Sequence, residues 1–151
     1  MNKNTILINL SESERTRFGK EEFATQSLPQ KVFSAIWAAE SEVNNGGFLQ
    51  YFLSESAESA SFVVQALETI GAPQTADICK RAIATAFPRG LPASHQTIQS
   101  TAAEFSGETL ENLASLDDEF LTYPHDLTAL LFAYVSHHPE ELGRLPTPDD
   151  A

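Results

Sequence analysis

Apolar side chains recur three and four positions apart along most of the chain, which is the spacing of one buried face of an α-helix. The first clear stripe consists of Val32, Phe33, Ile36, Trp37 and Val43. Proline and glycine residues lie between such stripes, where they favour helix ends. The pattern predicts helices over 29–43, from 48 onwards, and over 58–70, 73–87, 96–105, 109–121 and 124–137.

The composition favours helix over strand. The 151 residues include 19 Ala, 16 Leu and 15 Glu but only 5 Val and 7 Ile, and the first group has the higher helix propensity. A chain of this length forms one domain. We therefore predict an all-α protein with a single compact multi-helix domain over 28–142, an amino-terminal helical extension over 1–27 and a polar tail over 143–151. Within the extension, residues 5–10 fit either a strand or a helix. Ser11 and Glu14 resemble a capping box, so a helix is expected to begin after Ser11.

A turn of two asparagines and two glycines follows the first stripe. Asn and Gly tolerate positive φ, so this turn is predicted to end the helix, with positive φ at Gly47. Glu40 falls on or beside the buried stripe, and we expect it to accept hydrogen bonds from the backbone donors of the turn. The predicted structural motif comprises Glu40, Glu42, Asn44, Asn45, Gly46, Gly47 and Phe48. The same polar groups permit a second interpretation, an acid/base site in a cleft.

Negative charge is concentrated in the second part of the chain. The formal net charge is −12 and the isoelectric point is about 4.6, so direct nucleic-acid binding is not expected. Residues 1–90 have a net charge of only −2, whereas residues 91–151 carry Arg144 alone against eleven acidic residues, a net charge of −10. The carboxyl-terminal part is therefore one acidic region.

A series of acidic residues in this region is the candidate binding surface. Glu104, Glu108 and Glu111 follow the spacing i, i+4, i+7, so in a continuous helix their carboxylates would project from one face. Asp117, Asp118 and Glu119 extend the series. Rows of carboxylates can stand in for the phosphates of a nucleic acid and attract a Lys/Arg surface. The alternative interpretation is a solvated acidic face that keeps the protein soluble.

Other classes of protein lack support in the sequence. The longest uncharged apolar stretch, 127–135, is far shorter than the ~20 residues that cross a bilayer, and the first ten residues do not form a secretory signal. No membrane association is predicted, and the expected compartment is the cytoplasm. Cys79 is the only cysteine, and the four histidines lack metal-ligand spacing. No metal site or cofactor is predicted, and Cys79 is expected to pack in the core.

The segment 37–52 resembles a motif of a known bacterial family. It contains the run Asn-Asn-Gly-Gly-Phe between two helical stretches and Gln-Tyr-Phe at 50–52. This pattern resembles the family defined by the carboxyl-terminal domain of the DNA-mimic protein, and segments 66–72 and 116–120 are similar to further blocks of that family. The resemblance covers about 28–142 and implies an all-helical, acidic, dimeric bacterial protein. For the namesake of the family, it also implies binding to a transcription regulator in place of DNA.

The functional hypothesis combines the resemblance with the acidic region. The carboxylates of Glu104, Glu108, Glu111, Asp117, Asp118 and Glu119 would present a phosphate-like surface to a basic DNA-binding protein and compete with DNA. The protein would act as a homodimer. One alternative is an immunity-type inhibitor that blocks a basic nuclease with the same surface. Another is an enzyme with a cleft near Glu40, Asn44 and Asn45.

Overall fold

The computed structural model describes residues 2–13 and 23–148. Within these two ranges the chain forms eight α-helices, two short 3₁₀ helices and no strand. The α-helices are α1 (Lys3–Ser11), α2 (Leu28–Leu53), α3 (Val63–Thr69), α4 (Pro73–Ala86), α5 (His95–Ala102), α6 (Gly107–Leu121), α7 (Leu127–Ser136) and α8 (Pro139–Leu142). The 3₁₀ helices are Phe23–Thr25 and Glu55–Ser59. The prediction of an all-α protein with one domain is confirmed.

The long helix α2 lies at the centre of the fold. It packs against α3, α5, α6, α7, α8 and the second 3₁₀ helix. A capping box starts it, because the Ser27 hydroxyl accepts from the backbone of Gln30 and the Gln30 side chain accepts from the backbone of Ser27. Aromatic side chains dominate its buried face. Those with less than 2% exposure are Phe33, Phe48, Tyr51 and Phe52.

A kink divides α2 where the sequence predicted a helix end. Asn44 and Asn45 remain helical, and the break falls at Gly46 (φ −162°, ψ 18°) and Gly47 (φ 78°, ψ −174°). The predicted positive φ at Gly47 is confirmed, and its φ/ψ pair lies in a region that only glycine adopts readily. The kink turns the second part of α2 so that Phe48 and Phe52 stay in the core.

Of the two possibilities for residues 5–10, the structure has the helix, α1. Asn2 caps α1 by accepting a hydrogen bond from the backbone of Thr5, and Ser11 is the last residue of that helix rather than the start of one. The expectation of a helix starting after Ser11 is therefore wrong at Ser11 itself, and its continuation over 14–22 lies outside the described residues. The helix α1 packs against α7 and buries Leu7 and Leu10 in the common core.

The helix α6 crosses both α2 and α4. Its N-cap is Ser106, whose hydroxyl accepts from the backbone of Thr109. Its inward face buries Leu113, Leu116 and Phe120. This packing fixes which side of α6 is left for solvent. None of the helices in the described part of the chain combines the length and the apolar character that crossing a bilayer requires.

Candidate functional site

The structure places five of the six predicted surface acids on α6 and the sixth outside it. The helix α5 ends at Ala102, and Glu104 lies in the connection before Ser106. The continuous helix that would have aligned Glu104 with Glu108 and Glu111 is therefore interrupted. The cause is local, because the Ser106 hydroxyl starts a new helix by capping its first turn.

Three acids of α6 form a line on its solvent side. Glu111 and Asp118 are seven residues apart and lie opposite the buried leucines, and Glu108, three residues before Glu111, lies beside them on the helix surface. All three side chains are exposed. Among the residues that the structure describes, no basic side chain pairs with any of them. We call Glu108, Glu111 and Asp118 the acidic ridge.

Glu119 differs from the acidic ridge because a cation neutralises it. Arg81 on α4 donates from Nη1 and Nη2 to the two carboxylate oxygens of Glu119, at 2.9 and 2.8 Å, and from Nε to Asp77 at 2.8 Å. The arginine lowers the pKa of Glu119 through these hydrogen bonds. Glu119 thus has a cationic partner within its own chain, although both side chains remain accessible to solvent.

Asp117 also has a partner within the chain, on α2. Its Oδ1 accepts a 2.7 Å hydrogen bond from the backbone N–H of Phe48, directly after the kink. A Cβ built on Gly47 would overlap the carboxylate and come within 2.7 Å of its Cγ. Burial raises the pKa of Asp117, the hydrogen bond from Phe48 lowers it, and the charge of Asp118 raises it. Asp117 is therefore the carboxylate that binds a backbone donor of the turn.

Glu40 does not have the hydrogen bonds that the sequence suggested. Instead of accepting from the backbone of the turn, its Oε1 accepts from the hydroxyl of Tyr123 at 3.1 Å. The Tyr123 hydroxyl in turn accepts from Asn44 Nδ2 at 2.6 Å, and the same Nδ2 donates to the backbone carbonyl of Glu40 at 2.7 Å. Nearby, Glu42 Oε2 accepts from the side chain of Gln50 at 3.1 Å, and Asn45 is exposed.

The Glu40 network lines a cleft of about 300 Å³ between α1, α2 and α7. Apolar side chains from all three helices make up much of its wall. They are Leu7, Ile8, Trp37 and Leu131. Burial raises the pKa of Glu40, the hydrogen bond from Tyr123 lowers it, and the nearby charge of Asp126 raises it. The structural interpretation of the turn required a hydrogen-bonded kink, and the acid/base interpretation required a cleft. The molecule contains both, and the cleft lies beside the kink.

Sequence reasoning missed the side chains that complete these two sites. Tyr123 lies 83 positions after Glu40, and Asp117 lies 69 positions after Phe48. No local periodicity links residues so far apart. A single structural signal marks Tyr123 once the backbone is known, since it has a positive φ of 49°.

The remaining chemistry of the described residues is sparse. No group of three or more His, Cys, Asp or Glu side chains in 2–13 and 23–148 is arranged to hold a metal ion. Cys79 is buried on α4, as predicted, and burial raises the pKa of its thiol to about 12. His125 accepts a hydrogen bond from the backbone of Gln74 at the start of α4. Cys79 therefore packs in the core, and His125 holds the start of α4 through its hydrogen bond.

Comparison with known proteins identifies one family. The model of the family described as DMP19-like protein matches residues 24–138. That range includes the kink and the acidic ridge, whereas α1, which forms one wall of the cleft, precedes it. Comparisons with curated proteins and with solved structures returned no significant match.

Proposed function

Because the chain belongs to the family of DMP19-like proteins, we propose that it is a DNA mimic that occupies the basic DNA-binding surface of a transcription regulator or a similar protein. The observation that supports this proposal most directly is the acidic ridge. Its three carboxylates are exposed, aligned and without a basic partner in the described part of the chain. Glu104 is also exposed, in the connection that precedes α6. A bacterial cytoplasm is the proposed setting.

Under this proposal, some of the six predicted acids bind groups of their own chain and others face the partner. Asp117 and Glu119 are engaged by Phe48 and Arg81, so they contribute less to a binding surface. The acidic ridge supplies most of the attraction. Asp118 lies near the carboxyl end of α6, where the helix dipole disfavours negative charge. The helix gains no stability from this placement, which is consistent with a role in binding.

The charge density of the acidic ridge bears on the oligomeric state. Ten residues separate Glu108 from Asp118, which corresponds to about 15 Å of helix axis. Over that length one strand of DNA carries roughly four phosphates and a duplex roughly nine. Three carboxylates approach the charge of one strand. The proposed homodimer, with two copies of the acidic ridge, would come closer to the charge of a duplex.

The proposal is tested by capture of partners from the cells that encode the protein. The immobilised chain is incubated with lysate, and bound proteins are eluted with short duplex DNA and identified by mass spectrometry. We expect DNA-binding proteins that elute with DNA and that are lost at high salt, because exposed charge pairs are screened within ~3 Å at 1 M salt. Light scattering of the purified chain tests the dimer.

Two triple variants provide the matched comparison. Glu108→Gln, Glu111→Gln and Asp118→Asn together remove the acidic ridge, while Glu55→Gln, Glu68→Gln and Glu140→Gln remove the same charge from exposed positions elsewhere. Only the first triple is expected to abolish capture. Equal capture by both, or elution that does not depend on DNA, would contradict the proposal. A captured nuclease that the chain inhibits would favour the immunity-type alternative.

A further inference from the structure

The cleft between α1, α2 and α7 holds a carboxylate that has no cationic partner among the residues that the structure describes. Glu40 is partly buried, and it accepts a side-chain hydrogen bond from the neutral hydroxyl of Tyr123. The charge that acts on it is that of Asp126, which is also negative. Buried carboxylates are usually paired or neutralised. The cleft therefore has an excess of negative charge with an opening to solvent.

The hydrogen bond with Tyr123 does not require this charge. A glutamine at position 40 would accept the hydrogen bond from Tyr123 through its amide oxygen and would avoid the cost of ionisation. Burial raises the pKa of Glu40, so ionisation here is less favourable than for a glutamate in water. A cation placed in the cleft would reverse that preference.

The walls of the cleft suit a flat or compact organic cation. Trp37 lines the cleft, and its ring stacks on Phe33 with centroids 5.5 Å apart and planes 16° apart, which holds the indole in place. Tryptophan is the aromatic side chain that attracts cations best. Leu7 and Leu131 supply apolar surface for an attached methylene chain. Within the described part of the chain, the Asn44 side chain hydrogen-bonds only through Nδ2, so Oδ1 is available as an acceptor.

We propose that this cleft is a binding site for a guanidinium or ammonium group on an aliphatic chain, with Glu40 as the counter-ion and Trp37 as the aromatic wall. Its volume of about 300 Å³ fits one such group rather than a large cofactor. The group belongs either to a free amine or to an arginine or lysine side chain of a bound protein. The inference is independent of the acidic ridge, which lies on α6 and does not line the cleft.

The chain provides its own reporter for this site, because Trp37 is its only tryptophan. Indole fluorescence is followed while agmatine or the blocked peptide acetyl-Gly-Arg-Gly-amide is added at constant ionic strength. The matched neutral probe is the same peptide with citrulline in place of arginine. We expect a saturable change with the two cationic probes and binding by the citrulline peptide that is weaker by roughly tenfold or more.

Two variants of α2 test whether Glu40 binds the cationic probes. Glu40→Gln is expected to weaken binding of the cationic probes by roughly tenfold or more, and Glu42→Gln, two residues away and bonded to Gln50, is expected to bind as the wild type does. Circular dichroism confirms that each variant is folded. The comparison of arginine with citrulline on the wild type needs no variant and remains decisive if Glu40→Gln is unfolded.

The outcomes separate this inference from the proposed function. Tighter binding of agmatine than of the arginine peptide indicates a free amine, and the reverse indicates a protein side chain. The triple variant without the acidic ridge is expected to bind the probes as the wild type does. No saturable change up to about 10 mM of either cation, or equal binding of the citrulline peptide or by Glu40→Gln, would overturn the proposal.

Discussion

Two carboxylates lie close to the polar turn, Asp117 in contact with its backbone and Glu40 linked to it through Tyr123, and they show how different the surroundings of a raised pKa can be. Asp117 and Glu40 are both partly buried, and burial raises the pKa of both. Asp117 accepts from the backbone N–H of Phe48, the residue that directly follows the kink. Glu40 accepts from the hydroxyl of Tyr123 at the side of a cleft. The direction of the pKa shift is the same for both acids. The group that donates to each carboxylate, a backbone N–H or a hydroxyl in a cleft, distinguishes a structural acid from one that is available for a ligand.

The largest expected effect is at the kink. Gly47→Val forces a β-branched residue into a conformation that only glycine adopts readily and places its Cβ against the carboxylate of Asp117. We expect a loss of about 3 kcal/mol or more in the free energy of unfolding, measured by urea denaturation.

Gly71→Val is the matched control for this substitution. Gly71 also has a positive φ, 87°, but nothing lies within 4 Å of a Cβ built there. For Gly71→Val, the loss in the free energy of unfolding should be limited to the backbone strain, about 1–2 kcal/mol. Equal losses in the two variants would show that the contact between Gly47 and Asp117 contributes nothing beyond the conformation of the glycine.

The second largest effect on stability is expected from removal of the Asp117 carboxylate, which accepts the hydrogen bond from Phe48. Asp117→Ala leaves the N–H of Phe48 without its partner in a partly buried position, and we expect a loss of about 1–3 kcal/mol in the free energy of unfolding. Asp117→Asn should retain most of the stability because its amide oxygen can accept the same bond.

Asp118→Ala changes a neighbouring acid that is exposed on the acidic ridge. This substitution is the control for Asp117→Ala, and we expect it to change the free energy of unfolding by no more than about 0.5 kcal/mol. A loss as large as that of Asp117→Ala would mean that helix propensity or net charge, rather than the hydrogen bond to Phe48, governs the stability of this region.

The sequence could predict what depends on local pattern. Apolar spacing and composition identified the all-α fold, and glycine next to asparagine identified the break at Gly47 because conformational freedom is a property of the residue itself. The partners of the turn could not be predicted, since Asp117 and Tyr123 reach it only through tertiary packing of α6. The acidic series was recognised, but the capping of α6 by Ser106, which separates Glu104 from the other acids, was missed.

A smaller effect, of the opposite sign, is expected at Glu40. Since its pKa in the folded chain is raised, the carboxyl favours the folded state fully below the pKa of an unfolded glutamate, and this stability is lost as pH rises through the raised value. Glu40→Gln does not titrate and keeps an acceptor for Tyr123. The variant should therefore gain stability relative to the wild type as the pH increases, by less than about 1 kcal/mol at neutral pH.

Urea denaturation of both chains at pH 5 and pH 8 measures this difference. The raised pKa of Asp117 contributes to the pH profile of both chains alike and cancels in the comparison. A difference between variant and wild type that does not change with pH would show that Glu40 has the same protonation behaviour in the folded and unfolded states. Saturation with a cationic probe should reduce the advantage of the variant if the cleft binds one.

The smallest effect on stability is expected at the exposed pair of Arg81 and Glu119. Both side chains are accessible, so water and salt replace their interaction when one is removed. Arg81→Gln should leave the midpoint of thermal unfolding unchanged within repeat measurement at both low and high salt. The same substitution exposes the charge of Glu119 beside the acidic ridge and should strengthen the salt-dependent capture of a basic partner. Unchanged capture together with a lowered midpoint would mean that Glu119 acts in the fold, as Asp117 does, and not on the binding surface.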